Sequence, residues 1–149
     1  MYSGDPRVEL GIEFNPKAEQ VSPLANVRVL NETASRPAVM VGTSSDRIGT
    51  PSGRAYFATL SKDLERATGL PVAPYLGAAY GEFEDETKAI GGLHVRWSDR
   101  WTSTHLWDGY NLHHLLDRQM DGGLRLGLVL VEQDGKYYGG FSLGLALGD

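Results

Sequence analysis

The sequence predicts an all-β protein: an antiparallel up-and-down meander closing as a small β-barrel of about eight to ten strands, a single domain over residues 1–149. Three observations point there. Apolar and polar residues alternate with period 2 along most of the chain, the pattern of strands whose two faces meet different surroundings. Clusters of Gly, Pro, Asn, Asp and Ser separate these stretches, so consecutive strands are joined by short turns. No strand–helix–strand rhythm occurs, which argues against doubly wound and α/β-barrel folds. A meander left open exposes two unpaired edges, and closure removes them.

The elements follow in chain order. Val8, Leu10, Ile12 and Phe14 alternate with Glu9, Gly11 and Glu13, a strand ended by Asn15-Pro16. Residues 24–30 form a second strand, with Arg28 opposed to Val27 and Val29, and residues 31–35 a turn. Residues 36–43 make a third strand and 54–60 a fourth, separated by a Ser-, Gly- and Pro-rich loop. Leu60 and Leu64 are four apart with Gly69 behind them, which suits one short helical turn. The fifth strand covers 72–81, and its prolines suit an edge or an irregular start. An acidic loop at 82–88 precedes a sixth strand at 91–97, where Leu93, Val95 and Trp97 oppose His94 and Arg96. Ser98-Asp99-Arg100 turns into a strand at 101–107.

Residues 108–119 carry two signals. Asp108 suits an N-cap, Leu112, Leu115 and Leu116 share a helical face, and Gly122 suits a stop, so local pattern favours a helix. Asp108-Gly109 is also a strong turn pair. A strand at 124–131, an Asp134-Gly135 hairpin turn and a returning strand at 136–147 complete the chain.

Composition narrows the function classes. The net charge is −5, against the clustered positive charge that nucleic-acid binding requires. Cysteine is absent, which removes disulfides, thiol nucleophiles and Cys-based metal sites. No stretch is long and apolar enough for a transmembrane helix, and the first residues carry no export signal. A transmembrane β-strand needs only about 9–11 alternating residues, so a membrane barrel stays open. The last strand favours it. One face carries Gly140, Ser142, Gly144 and Ala146, and the other Phe141, Leu143, Leu145 and Leu147. Small residues fit the interior of a narrow barrel and large apolar ones its outside, the reverse of a soluble barrel. Trp97, Trp101, Trp107, Tyr137 and Tyr138 near strand ends suit interfacial girdles.

Asn26-Val-Arg-Val-Leu-Asn-Glu-Thr-Ala-Ser-Arg-Pro-Ala-Val-Met-Val-Gly, Arg54-Ala-Tyr-Phe-Ala-Thr-Leu-Ser-Lys, the Gly91-Gly-Leu strand and Leu106-Trp107-Asp108-Gly109 followed by Asn111 come in an order that resembles the YjbH-like outer-membrane β-barrel proteins. The resemblance spans about Val8 to Leu147. It implies an outer-membrane barrel associated with exopolysaccharide production in Gram-negative bacteria, with no catalytic residues to carry over. It also implies a turn followed by a strand at 110–116 in place of the helix. The chain departs from the family in ending Leu147-Gly148-Asp149 without a terminal aromatic, in lacking an export signal and in its shorter length.

Chemical motifs are sparse. Gly140-Phe-Ser142-Leu-Gly144 matches a nucleophile elbow, but it lies within a strand and no His follows it. His113 and His114 are adjacent and face opposite ways in a strand, whereas His94 and His105 flank one hairpin. Glu82, Glu84, Asp85 and Glu86 read as a solvated hairpin tip, and Glu9 and Glu13 with Arg28 as a lumenal ion network. No Walker loop, dinucleotide fingerprint or redox motif occurs, so no cofactor, metal or catalytic residue is expected.

The first expectation is a non-enzymatic outer-membrane barrel with a structural or polysaccharide-associated role and a lipid bilayer as partner. The second is a soluble barrel, cytoplasmic or peripheral to a complex, docking as an accessory subunit through an apolar face. The third is a small-ligand barrel, with His94, Arg96, Trp97, Trp101 and His105 as ligand or lumen-lining residues.

Overall fold

Ten strands follow one another around a closed barrel in the computed structural model, which describes residues 7–15, 20–46, 50–133 and 135–147. They are β1 (Val8–Asn15), β2 (Gln20–Leu30), β3 (Ala38–Ser45), β4 (Arg54–Ser61), β5 (Val72–Gly81), β6 (Glu86–Arg96), β7 (Trp101–Trp107), β8 (Leu112–Gln119), β9 (Leu124–Gln133) and β10 (Lys136–Leu147). Every strand is antiparallel to its neighbours, and β1 meets β10 to close the sheet. The all-β barrel expected from the alternation is therefore present, at the upper end of the expected strand count. Among the described residues, helix is confined to α1 (Glu65–Thr68) and a 3₁₀ turn at Asp121–Gly123. Gly69 ends α1 in the left-handed region, φ 75°, where a side chain would be strained.

Residues 108–119 correct the helix expected from local spacing: β8 pairs with β7 and β9 along its length. Leu112, Leu115 and Leu116 do not share a face. Leu112 and Leu116 point outward and Leu115 points into the lumen. Pairing on both sides satisfies every ladder group of this segment, an advantage no local helix propensity offsets. The acidic loop is also shorter than expected, because β6 begins at Glu86. Asp134, half of the hairpin signal, lies outside the described residues, while Gly135 has φ 71° and β9 and β10 pair on either side of it.

The barrel carries its apolar side chains on the outside. Leu126, Leu128 and Leu130 of β9 and Phe141, Leu143 and Leu145 of β10 are exposed, and they alternate with Gly127, Val129, Gly140, Ser142 and Gly144, which are not. Phe141 is 89% exposed, Ile12 67% and Leu76 66%, whereas Val131 is the one buried apolar residue among the described residues. The interior is an open lumen lined by polar side chains together with apolar ones such as Phe57, Ile90, Leu106 and Val129.

Glycines bring the inner face together. A side chain at Gly42 would meet the Phe57 ring at 2.5 Å, because that ring lies across its cross-strand partner. The Tyr75 hydroxyl reaches over Gly92 in the same way. At Gly77 a Cβ would fall 2.0 Å from the Ala58 carbonyl oxygen, so that strand pair approaches too closely for any side chain.

Candidate functional site

Three clusters of polar side chains line the lumen. The first spans the seam where β1 meets β10. Glu9 on β1 accepts from Asn26 Nδ2 on β2 at 3.2 Å and pairs with Arg125 on β9 at 3.0 Å. Gly144 of β10 lies between Glu9 and Arg125, within van der Waals reach of both. Asp117 of β8 and Ser142 of β10 converge in the same way over Gly127. Glu9 thus takes part in a lumenal ion pair, with Arg125 as a partner that strand spacing did not identify. Arg28 faces Met40 across β2 and β3, and Glu13 carries no described side chain.

The second cluster sits at the mouth nearest the chain termini. His94 Nδ1 is 3.0 Å from Thr104 Oγ1. Arg96 pairs with Glu65 of α1 and lies 3.9 Å from Asp63, tying the β4–β5 loop to the wall of β6. Lys62 in that loop pairs with Glu32 at 3.2 Å, and Asp63 N donates to Glu32 Oε2 at 2.9 Å, so the β2–β3 and β4–β5 loops interlock. Several of these loop residues, Lys62, Asp63, Glu65 and Arg66 among them, line the cavity and narrow its mouth.

The third cluster is at the opposite mouth. Asp108, in the β7–β8 turn, accepts from the backbone amides of Tyr110 at 2.8 Å and Asn111 at 2.7 Å through Oδ1. Its Oδ2 lies 2.7 Å from Nε2 of His113, which is fully buried. Burial alone would raise the Asp108 carboxyl, but the His113 contact and the two amides outweigh it and hold the carboxyl below its ordinary range. His113 Nδ1 is buried and has no hydrogen-bond partner among the described residues.

The acidic tip is internally satisfied. Glu82 accepts from Tyr56 Oη and from Arg54 N, both at 3.0 Å, and Asp85 accepts from Tyr80 Oη at 2.7 Å. Glu84 and Glu86 pair with Lys88, which also lies over the Tyr110 ring. Ser142 lies within β10 on the lumenal face, in the strand context that a nucleophile elbow lacks.

The five residues anticipated as ligand or lumen-lining divide between two surfaces. His94 and Arg96 line the lumen. Trp97, Trp101 and His105 are on the outside, because His105 pairs in register with outward Leu93 and His94 with inward Thr104. His105 meets His114 there instead: their Nδ1 atoms are 2.7 Å apart and the rings form an edge contact. Adjacent His113 and His114 face opposite ways, as a strand requires. The signal for the His105–His114 contact was the register of β7 on β8, which sequence spacing leaves open. Among the described residues, no three His, Asp or Glu side chains converge on a metal position.

The outer surface completes the description. Exposed Tyr56, Tyr80, Trp107 and Tyr137 all stand within three residues of a strand end at the mouth opposite the termini. Trp97 and Trp101 flank the turn at the other mouth. Charged residues that alternate onto this face, Arg54, Arg118 and Glu132, stand at or next to strand ends. Compared with protein families, with curated proteins and with solved structures, the chain matches none of them.

Proposed function

We propose that this chain is a membrane-embedded β-barrel protein with a structural, non-enzymatic role. One observation carries the reading: large apolar side chains cover the outside of the closed barrel, while its ion pairs, amides and hydroxyls face the lumen. In water this arrangement would expose apolar surface far beyond the patches that soluble monomers tolerate. In lipid the apolar belt is solvated, and closure of β10 on β1 from Gly144 to Leu147 joins the two ends of the ladder.

Dimensions and chemistry agree with this reading. Five strands, β2, β5, β6, β9 and β10, have 10 to 12 residues and reach the roughly 9–11 that a tilted strand needs to cross, while the other five have 7 or 8. The even strand number is that of bacterial single-chain barrels. The tyrosines at one rim direct their hydroxyls to turn carboxylates, the posture of aromatic rings at a membrane interface. Ion pairs bridging strands inside, with loops narrowing one mouth, favour a braced barrel over a conducting pore. A polysaccharide-associated role rests on the family resemblance alone.

The test uses the three tryptophans as depth gauges. The full chain is refolded into vesicles whose lipids carry bromine at defined acyl positions. Trp97, Trp101 and Trp107 should be quenched most by bromine near the headgroups, and the protein should float with the vesicles. A chain that stays soluble and monomeric without detergent and shows no quenching overturns the proposal. Solubility together with co-purification in a larger assembly would instead support an accessory-subunit role.

A further inference from the structure

The outer belt is interrupted by polar side chains in one sector. Ser103 and His105 of β7 and His114 of β8 face outward where the neighbouring strands present Leu93, Leu128 and Leu130. Polar groups on such a surface are costly and mark function more often than packing. They are also organised. Trp97 Nε1 donates to Ser103 Oγ at 2.9 Å, Ser103 Oγ lies 3.4 Å from His105 Nε2, and His105 Nδ1 lies 2.7 Å from His114 Nδ1. Ser103 is buried beneath this chain of contacts, while both imidazoles stay accessible from an outer groove.

We propose that His105 and His114 form a transition-metal site on the outside of the barrel, binding a borderline cation such as Zn²⁺, Ni²⁺ or Cu²⁺ through their two Nδ1 atoms. Two nitrogens at this separation share one hydrogen, since a neutral imidazole donates from one ring nitrogen only. For both Nδ1 lone pairs to face a cation, the donor ring moves its proton from Nδ1 to Nε2, and no proton is lost from the pair. Ser103 Oγ can accept that proton's hydrogen bond if His105 is the ring that shifts, the outer-shell contact that fixes a ligating tautomer.

The geometry needs little adjustment. Metal–nitrogen bonds of about 2.0–2.1 Å at a tetrahedral angle place the two nitrogens about 3.3 Å apart, so the rings must open by about 0.6 Å. Each is partly exposed on the outer face. Each also lies two residues from a strand end, at Trp107 and Leu112, about 7 Å along the strand, so water reaches the site even if lipid covers the belt. Two protein ligands leave positions for water, so the site is open and exchangeable. Among the described residues no carboxylate lines the groove, which disfavours calcium and magnesium; among divalent first-row ions Cu²⁺ should bind tightest.

The inference stands whether lipid or water covers the barrel. Its test is metal uptake by the full-length folded protein, measured by calorimetry with each metal salt alone. Saturable binding is expected, with Cu²⁺ tightest and a paramagnetic spectrum showing nitrogen coupling from two imidazoles. His105→Gln and His114→Gln should each lower affinity at least tenfold, and Ser103→Ala should lower it about tenfold. His94→Gln, inside the lumen, should leave it unchanged. Circular dichroism checks that each variant keeps its β-structure. No saturable uptake by the wild type, or unchanged affinity in well-folded His105→Gln and His114→Gln, overturns the proposal.

Discussion

Asp108 concentrates three roles in one carboxylate: it accepts two turn amides and holds the buried His113 ring. Its native carboxyl lies below the ordinary value of about 3.9, so folding favours the ionised form. The stabilisation is therefore complete above about pH 5 and fades as pH falls through the native value. Asp108→Asn keeps the shape and removes the charge. It should cost about 1.5–3 kcal/mol at neutral pH, the range for hydrogen bonds to charged groups. The gap to wild type should narrow between pH 5 and pH 3, read from urea midpoints at each pH. A gap that stays constant over that interval would assign the cost to shape instead of charge. The Asp-Gly pair marked this position as a turn from sequence alone. The His113 contact was not legible, because it depends on how β8 returns alongside β7.

At the scale of elements, the seam is the join most dependent on side chains. β1 and β10 pair only from Val8↔Leu147 to Gly11↔Gly144, whereas β1 and β2 pair from Val8↔Val27 to Asn15↔Gln20. Fewer backbone bonds leave more of the closure to the Glu9–Arg125 bridge across Gly144. Both side chains are partly exposed, so the coupling is modest. A cycle of Glu9→Gln, Arg125→Met and the double variant should give about 0.5–1 kcal/mol. Amide exchange at Leu10 and Gly144 should quicken in each variant while β5 and β6 stay protected. Uniform loss of protection would mean that the bridge does not act on the seam. Strand positions were legible because alternation and turn residues act locally. β8 shows the limit. Leucines spaced by three and four read as a helix when neighbours are ignored, and the two flanking strands decide otherwise.

For the whole molecule, the informative feature was which face is small. Gly140, Ser142 and Gly144 against Phe141, Leu143 and Leu145 already implied that bulk lies outside, because a narrow barrel has little interior volume. The partition of His94, Arg96, Trp97, Trp101 and His105 between two surfaces was not legible, since it needs the register of β6 on β7. What covers the outer face is decided by magnitude. Phe141 is 89% exposed and Leu128 53%, and the two are cross-strand partners near the middle of β10 and β9. In water, Phe141→Arg or Leu128→Arg at such positions should change stability by no more than about 0.5 kcal/mol, since an arginine there stays hydrated. In lipid, each should cost about 2–4 kcal/mol near the midplane, because the guanidinium must leave water or drag it inward. Unfolding from vesicles, with Arg118→Lys as a control at a strand end, separates the two by a margin larger than the error of the measurement. Near-neutral values at both positions would place water outside the barrel. Losses of the larger size at both, with the control unchanged, would mean that lipid solvates the belt.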